Sequence, residues 1–126
     1  MRQLLYHLNA CEFDEAGRYL TDDVSIVDIG GSRIDGREAC LERDRQFREH
    51  YGNPKGQVDS LSHNNNEVLA RGWLDSENPE IKGESFWRFC FEGDRICLIE
   101  TMREGHRVTL PRFRPRVETG DKTGVA

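Results

Sequence analysis

The spacing of apolar residues changes partway along the chain. Over residues 2–12, Leu4, Leu8 and Cys11 recur at i, i+4, i+7, the stripe of an amphipathic helix. Asp14 then offers an N-cap to a second, short helix whose buried side is Ala16, Tyr19 and Leu20, and Thr21-Asp22-Asp23 stops it. Val24-Ser25-Ile26-Val27-Asp28-Ile29 alternates as a strand does and ends at Gly30-Gly31, where the backbone is free to turn. Asp35-Gly36-Arg37-Glu38 reads as a capping box for a third helix over residues 37–51. That helix would turn Cys40, Phe47 and Tyr51 inward and a dense Glu/Arg/Asp face outward, before Gly52-Asn53-Pro54 breaks it.

Beyond Pro54 the period is two. Residues 57–63 and 67–75 read as strands joined at Asn64-Asn65-Asn66, and 82–91 and 95–103 as a hairpin closing at Gly93-Asp94. Residues 76–81 read as an exposed connection. From Glu104 the character changes again: His106, Arg107, Arg112, Arg114 and Arg116 sit among Pro111 and Pro115, the composition of a loose tail or of an arm that contacts a partner. The pattern is that of one α+β domain over 1–103, with three N-terminal helices packed on a curved antiparallel sheet, followed by a tail over 104–126.

A length of 126 residues fits one domain, and 36% hydrophobic against 33% charged residues leaves a small core. Burial of part of the apolar surface against a second copy, a homodimer, is therefore expected. The formal net charge of -5 argues against nucleic acid as a partner, which usually demands a basic face. No apolar run approaches the roughly 20 residues that span a bilayer, and no basic-then-apolar leader opens the chain, so no membrane association and a cytoplasmic location are expected. Cys11, Cys40, Cys90 and Cys97 lack zinc-type spacing, so no metal is called for. Cys90 would lie opposite Cys97 across a two-residue turn, close enough for a disulfide, although reduced thiols are expected in a cytosolic chain. No Ser/His/Asp arrangement and no Gly-rich phosphate loop is present, and no cofactor is expected.

The last hairpin carries candidate chemistry. A two-residue turn sets Phe91 against Ile96, Phe89 against Leu98 and Trp87 against Glu100 on one side. Five large apolar groups mark that side as the inner face and leave Glu100 in apolar surroundings, where a carboxylate must be paired or protonated, as an acid catalyst would be. Alternatively Glu100 reaches solvent or pairs with Arg71, Arg88 or Arg103, and a β-bulge would swap the faces. On the other hairpin, Trp73 reads as packing or as a pocket wall, and His63 as an exposed turn residue.

Phe13-Asp14-Glu15-Ala16, Tyr19-Leu20-Thr21-Asp22-Asp23-Val24, Asp28, Gly36-Arg37-Glu38 before a helix, and the closing Trp87-Arg88-Phe89 to Gly93-Asp94-Arg95-Ile96 hairpin resemble the nuclear transport factor 2-like superfamily. The branch they are most similar to is that of the SnoaL-like and ketosteroid-isomerase-like proteins. The resemblance covers about residues 2–103 and implies a cystatin-like cone: helices wrapped by a strongly curved sheet, with an apolar pocket at the open end. It implies Asp28 as general base, at the place where ketosteroid isomerases carry theirs; the alternative is a strand-end carboxylate capping the Gly30-Gly31 turn. It also implies Leu4, Leu8, Trp73, Trp87, Phe89, Phe91 and Leu98 as pocket walls around a small apolar molecule. The oxyanion donors of ketosteroid isomerases have no clean counterpart, because Leu4 stands where their tyrosine would and no acid matches cleanly at Ser85 to Trp87. The function these features imply is that of a small-molecule pocket protein. It would be either a cofactor-free isomerase, cyclase or dehydratase acting on an apolar carbonyl compound, or a non-enzymatic dimeric ligand-binding or protein-interaction module.

Overall fold

A computed structural model describes residues 1–103 and 108–114 of the chain. Three helices, α1 (Arg2–Asn9), α2 (Phe13–Gly17) and α3 (Arg37–Tyr51), pack against a six-stranded sheet. Its strands are β1 (Leu20–Asp28), β2 (Arg33–Asp35), β3 (Lys55–Asn64), β4 (Glu67–Asp75), β5 (Gly83–Glu92) and β6 (Arg95–Met102), in the order β2-β1-β6-β5-β4-β3. Neighbouring strands are antiparallel except β1 and β6, which run parallel. This is the α+β plan that the alternating periods predict and the cone that the resemblance implies, with one departure from the expected antiparallel sheet, the parallel β1–β6 pair.

Curvature comes from irregular pairing. An extra residue interrupts β3 between Val58 and Ser60, and another interrupts the β5–β6 pair between Cys90 and Phe91. Such bulges bend and twist a strand. At Gly72, which pairs with Val58, a Cβ would collide with the carbonyl oxygen of Gln57 and sit 3.1 Å from Trp87 Cζ3. Only glycine lets the two backbones approach this closely.

The main core lies between the helices and the inner sheet face, where Leu4, Ala16, Val24, Cys40, Phe89 and Ile96 are buried. A smaller cluster, Phe47, Ile81 and Phe113, lies apart from it. Burying an aliphatic or phenyl side chain contributes roughly 1.5–3 kcal/mol, so each group anchors its segment.

Several local features differ from the sequence pattern. Helix α1 ends at Asn9, and Cys11, expected on its stripe, is exposed with φ 60°. Leu20 opens β1 instead of closing α2, because it pairs with Ile96 of β6. Strand β2 is three residues long, too short to show a period. The expected capping box does not form: Asp35 accepts instead from Ser25 Oγ at 2.6 Å and from Arg33 Nη2 at 2.8 Å, and Gly36 precedes the helix at φ 95°. Ile81, at the end of the expected exposed connection, is fully buried. The boundary expected at residue 103 also falls inside the packed body. Val108, Leu110 and Phe113 join the core clusters, and Arg43 donates to Phe113 O at 3.0 Å. Residues 104–107 and 115–126 of the expected tail lie outside the described residues. No described helix is long and apolar enough to cross a membrane.

Candidate functional site

A cavity of about 130 Å³ lies between the inner sheet face and the helices. Helix α1 contributes Leu4 and Leu8, α3 contributes Leu41 and Phe47, and β5 contributes Trp87 and Phe89. Val108, Thr109 and Leu110 complete the wall. Leu4, Leu8, Trp87 and Phe89 thus stand where the sequence placed them, around one apolar space.

The other four candidates of the sheet region do not meet the cavity, and one cause accounts for two of them. The bulge at Cys90/Phe91 shifts the register, so Trp87 pairs with Thr101 and Phe89 with Ile99 on the inner face. Leu98 and Glu100, expected on that face, turn outward, where they pair with Cys90 and Arg88. Glu100 accepts from Arg88 Nε at 2.7 Å with its side chain 43% exposed. That hydrogen bond holds its carboxyl below the ordinary glutamate range, the opposite of a proton-donating acid. Trp73 also lies on the outer face, paired with Glu84 and 39% exposed. Phe91 packs on the main core but is absent from the cavity wall. The same bulge removes Cys97 from the position opposite Cys90, and both thiols are free.

Asp28 is on the inner face, paired in register with Thr101. Its side chain is 1% exposed. Its bonds are those of a turn cap, although the carboxylate is buried instead of exposed. Oδ1 accepts from Ser32 N–H at 3.0 Å, so the carboxylate does close the Gly30-Gly31 turn, while Oδ2 accepts from Thr109 Oγ1 at 2.8 Å. Arg112 Nε lies 3.7 Å from the same Oδ2. Thr101 and Thr109 line the cavity and Asp28 does not, because Thr109 roofs it.

Polar groups that do line the cavity went unnoticed in the sequence. Asp44 and Arg48, one turn apart on α3, are both buried, and Arg48 Nε donates to Asp44 Oδ2 at 2.7 Å. Arg48 Nη1 also donates to Pro54 O at 2.8 Å and Asn53 Oδ1 at 3.1 Å, which fixes the guanidinium. Burial raises the Asp44 carboxyl above the ordinary aspartate value against the pull of Arg48. On the sheet side, Ser85 Oγ is buried on the wall with no hydrogen-bond partner among the described residues. The signal for Asp44 and Arg48 was available: with Cys40 and Phe47 they complete one i, i+4, i+7, i+8 stripe. No group of three or more His, Cys, Asp or Glu among the described residues is arranged to hold a metal ion.

No protein-family model matches the chain, and no curated protein does. Solved structures do. An uncharacterised cystatin-fold protein from Novosphingobium aromaticivorans aligns at TM-score 0.70 and 17% identity, covering 81% of this chain and 93% of that one. A protein with a ketosteroid isomerase-like fold from Catenulispora acidiphila, solved with trimethylamine, aligns at 0.71 and 14%, covering 85% and 86%. A SnoaL-like protein of unknown function from Burkholderia thailandensis aligns at 0.70 and 12%, covering 82% and 91%. At these identities the likeness establishes the fold, the cystatin-type cone of SnoaL-like and ketosteroid isomerase-like proteins, and the site must speak for the function.

Proposed function

We propose that the chain binds one compact, largely apolar molecule inside the cone. The observation that carries this is the 130 Å³ cavity walled by Leu4, Leu8, Phe47, Trp87 and Phe89. An apolar cavity of about 150 Å³ holds a single benzene ring, so this one suits a ligand of about one ring. The chain has two tryptophans, of which Trp87 lines the cavity and Trp73 is outside it. In a Trp73→Phe variant the emission therefore reports on the cavity alone. Titration with toluene should change that emission saturably and raise the melting temperature. If neither changes at the solubility limit of toluene, the reading fails.

A second reading, proton transfer on an apolar carbonyl compound by an isomerase, cyclase or dehydratase, is favoured by Ser85, whose unengaged hydroxyl can donate to a carbonyl oxygen at the wall. Asp28 could serve as base there only when Thr109 withdraws. An Asp28→Asn variant that still binds but no longer turns over would support this reading, and unchanged turnover would remove Asp28 from it.

The homodimer belongs to the same proposal. Leu69, Trp73 and Met102 are exposed on the outer sheet face, a surface a second copy could cover. Light scattering at micromolar concentration should give twice the chain mass, and a monomer would exclude it.

A further inference from the structure

The cavity has a polar pole that the apolar reading does not use. Asp44 projects from α3 into the wall with one oxygen, Oδ2, engaged by Arg48. Its other oxygen, Oδ1, makes no hydrogen bond among the described residues. An acceptor on a cavity wall that has no protein partner is free to take a hydrogen bond from a suitable ligand donor. Arg48 donates through Nε to Asp44 and through Nη1 to Pro54, Asn53 and, at 3.4 Å, Asn9, which fixes the guanidinium where it holds the carboxylate.

We infer that Asp44 is a ligand-binding carboxylate, and that the molecule in the cavity is a neutral, one-ring compound whose hydroxyl donates to Asp44 Oδ1. The inference rests on the cavity reading above and adds the class of ligand. Three arguments weigh against other polar groups at Oδ1. A cationic amine would enter a wall that already carries Arg48 and Arg103, with the one carboxylate compensated by Arg48. An anion would face Asp44 itself. A bare carbonyl has no proton to give to Oδ1. A hydroxyl fits all three constraints, and a phenol-type hydroxyl, ionising like tyrosine near pH 10, stays neutral at pH 7. Asp44 is positioned as a binding group only, and no bond is made or broken.

Phenol and toluene test this, because they differ by a hydroxyl in place of a methyl. Their dissociation constants are measured by calorimetry for the wild-type chain, for Asp44→Asn and for Ser85→Ala. Taking the ratio of the two ligands within each protein cancels general changes in the cavity. A hydrogen bond to a charged acceptor exceeds one to a neutral acceptor by enough to change the ratio about tenfold. Asp44→Asn should therefore reduce the preference for phenol over toluene about tenfold. An unchanged ratio in Asp44→Asn, or a fall confined to Ser85→Ala, overturns the assignment while toluene binding keeps the cavity reading intact. Absence of toluene binding to the wild type overturns the cavity reading first. Should Asp44→Asn not fold, the wild-type Asp44 carboxyl ¹³C resonance decides: it should shift with phenol and not with toluene, and equal shifts overturn the inference.

Discussion

Phe113→Ala is the sharpest perturbation of the fold, because it removes a side chain from the segment expected to be loose. Phe113 is 5% exposed, with ring centroids 5.5 Å from Phe47, 5.5 Å from His50 and 5.7 Å from Tyr51, and it shares its cluster with Ile81. Truncating a buried phenyl costs about 3–5 kcal/mol, from lost transfer free energy and the hole left behind. For a domain of this size, about 4 °C of melting temperature corresponds to each kcal/mol, giving a drop of roughly 12–20 °C. The segment can instead detach alone, which would limit the global loss, so a second readout is needed. Phe113 N–H donates to Thr109 O at 3.0 Å and Arg112 N–H to the same oxygen at 3.1 Å. In the variant these two amides should exchange with solvent much faster. A melting shift below about 4 °C together with unchanged exchange would refute the packing of this segment, and with it the wall formed by Val108, Thr109 and Leu110.

Thr109→Val keeps the shape of the side chain and removes the hydroxyl from Asp28 Oδ2, leaving a buried carboxylate short of a donor. Chemical denaturation should show a loss of about 1.5–3 kcal/mol, and a loss under about 0.5 kcal/mol would contradict the buried bond. Glu100→Gln should leave toluene binding unchanged, since Glu100 is on the outer face, and should cost less than about 1 kcal/mol because the pair with Arg88 is partly solvated. The folded state lowers the Glu100 pKa, so the pair stabilises the fold above the ordinary glutamate value; wild type should lose that advantage over Glu100→Gln as pH falls through the lowered value. Burial pushes the Cys40 thiol up to about 11, whereas Cys11 is exposed. Alkylation at pH 8 followed by mass spectrometry should therefore modify Cys11 first and Cys40 only on unfolding; early labelling of Cys40 would contradict its burial.

The elements that could be read from the sequence are those whose signal is local. Helix α3 and strand β4 lie where period and turn residues put them, over 37–51 and 67–75, and the Gly93-Asp94 turn closes with Glu92 paired to Arg95. What escaped depends on distant partners. Leu20 becomes strand because β6 lies beside it, and β2 exists only as a pairing partner for Ser25, Ile26 and Val27. Val108–Arg114 carries Pro111, Arg112 and Arg114 and reads as tail by composition, yet it packs because Phe47, Ile81 and Arg43 meet it in space.

The candidate site was legible to the same extent and for the same reason. Side-chain direction along a strand is known only modulo one residue, and one extra residue at Cys97 was enough to send Leu98 and Glu100 to the outer face. Upstream of that bulge, Trp87 and Phe89 kept the inward direction, because Ser85, Trp87 and Phe89 alternate along β5 with no interruption of their pairing to β4. The error at Asp44 and Arg48 was of another kind. Charge on α3 reads as a solvated face, although the stripe through Cys40, Asp44, Phe47 and Arg48 faces inward as one unit. A carboxylate and a guanidinium one turn apart can enter a core together, because each supplies part of what the other loses on leaving water. Their joint burial is costly unless further acceptors fix the guanidinium, and Pro54 O and Asn53 Oδ1 do so here. Those acceptors come from the break after α3, so Gly52-Asn53-Pro54 does more than end a helix: it holds the arginine that holds Asp44 against the cavity.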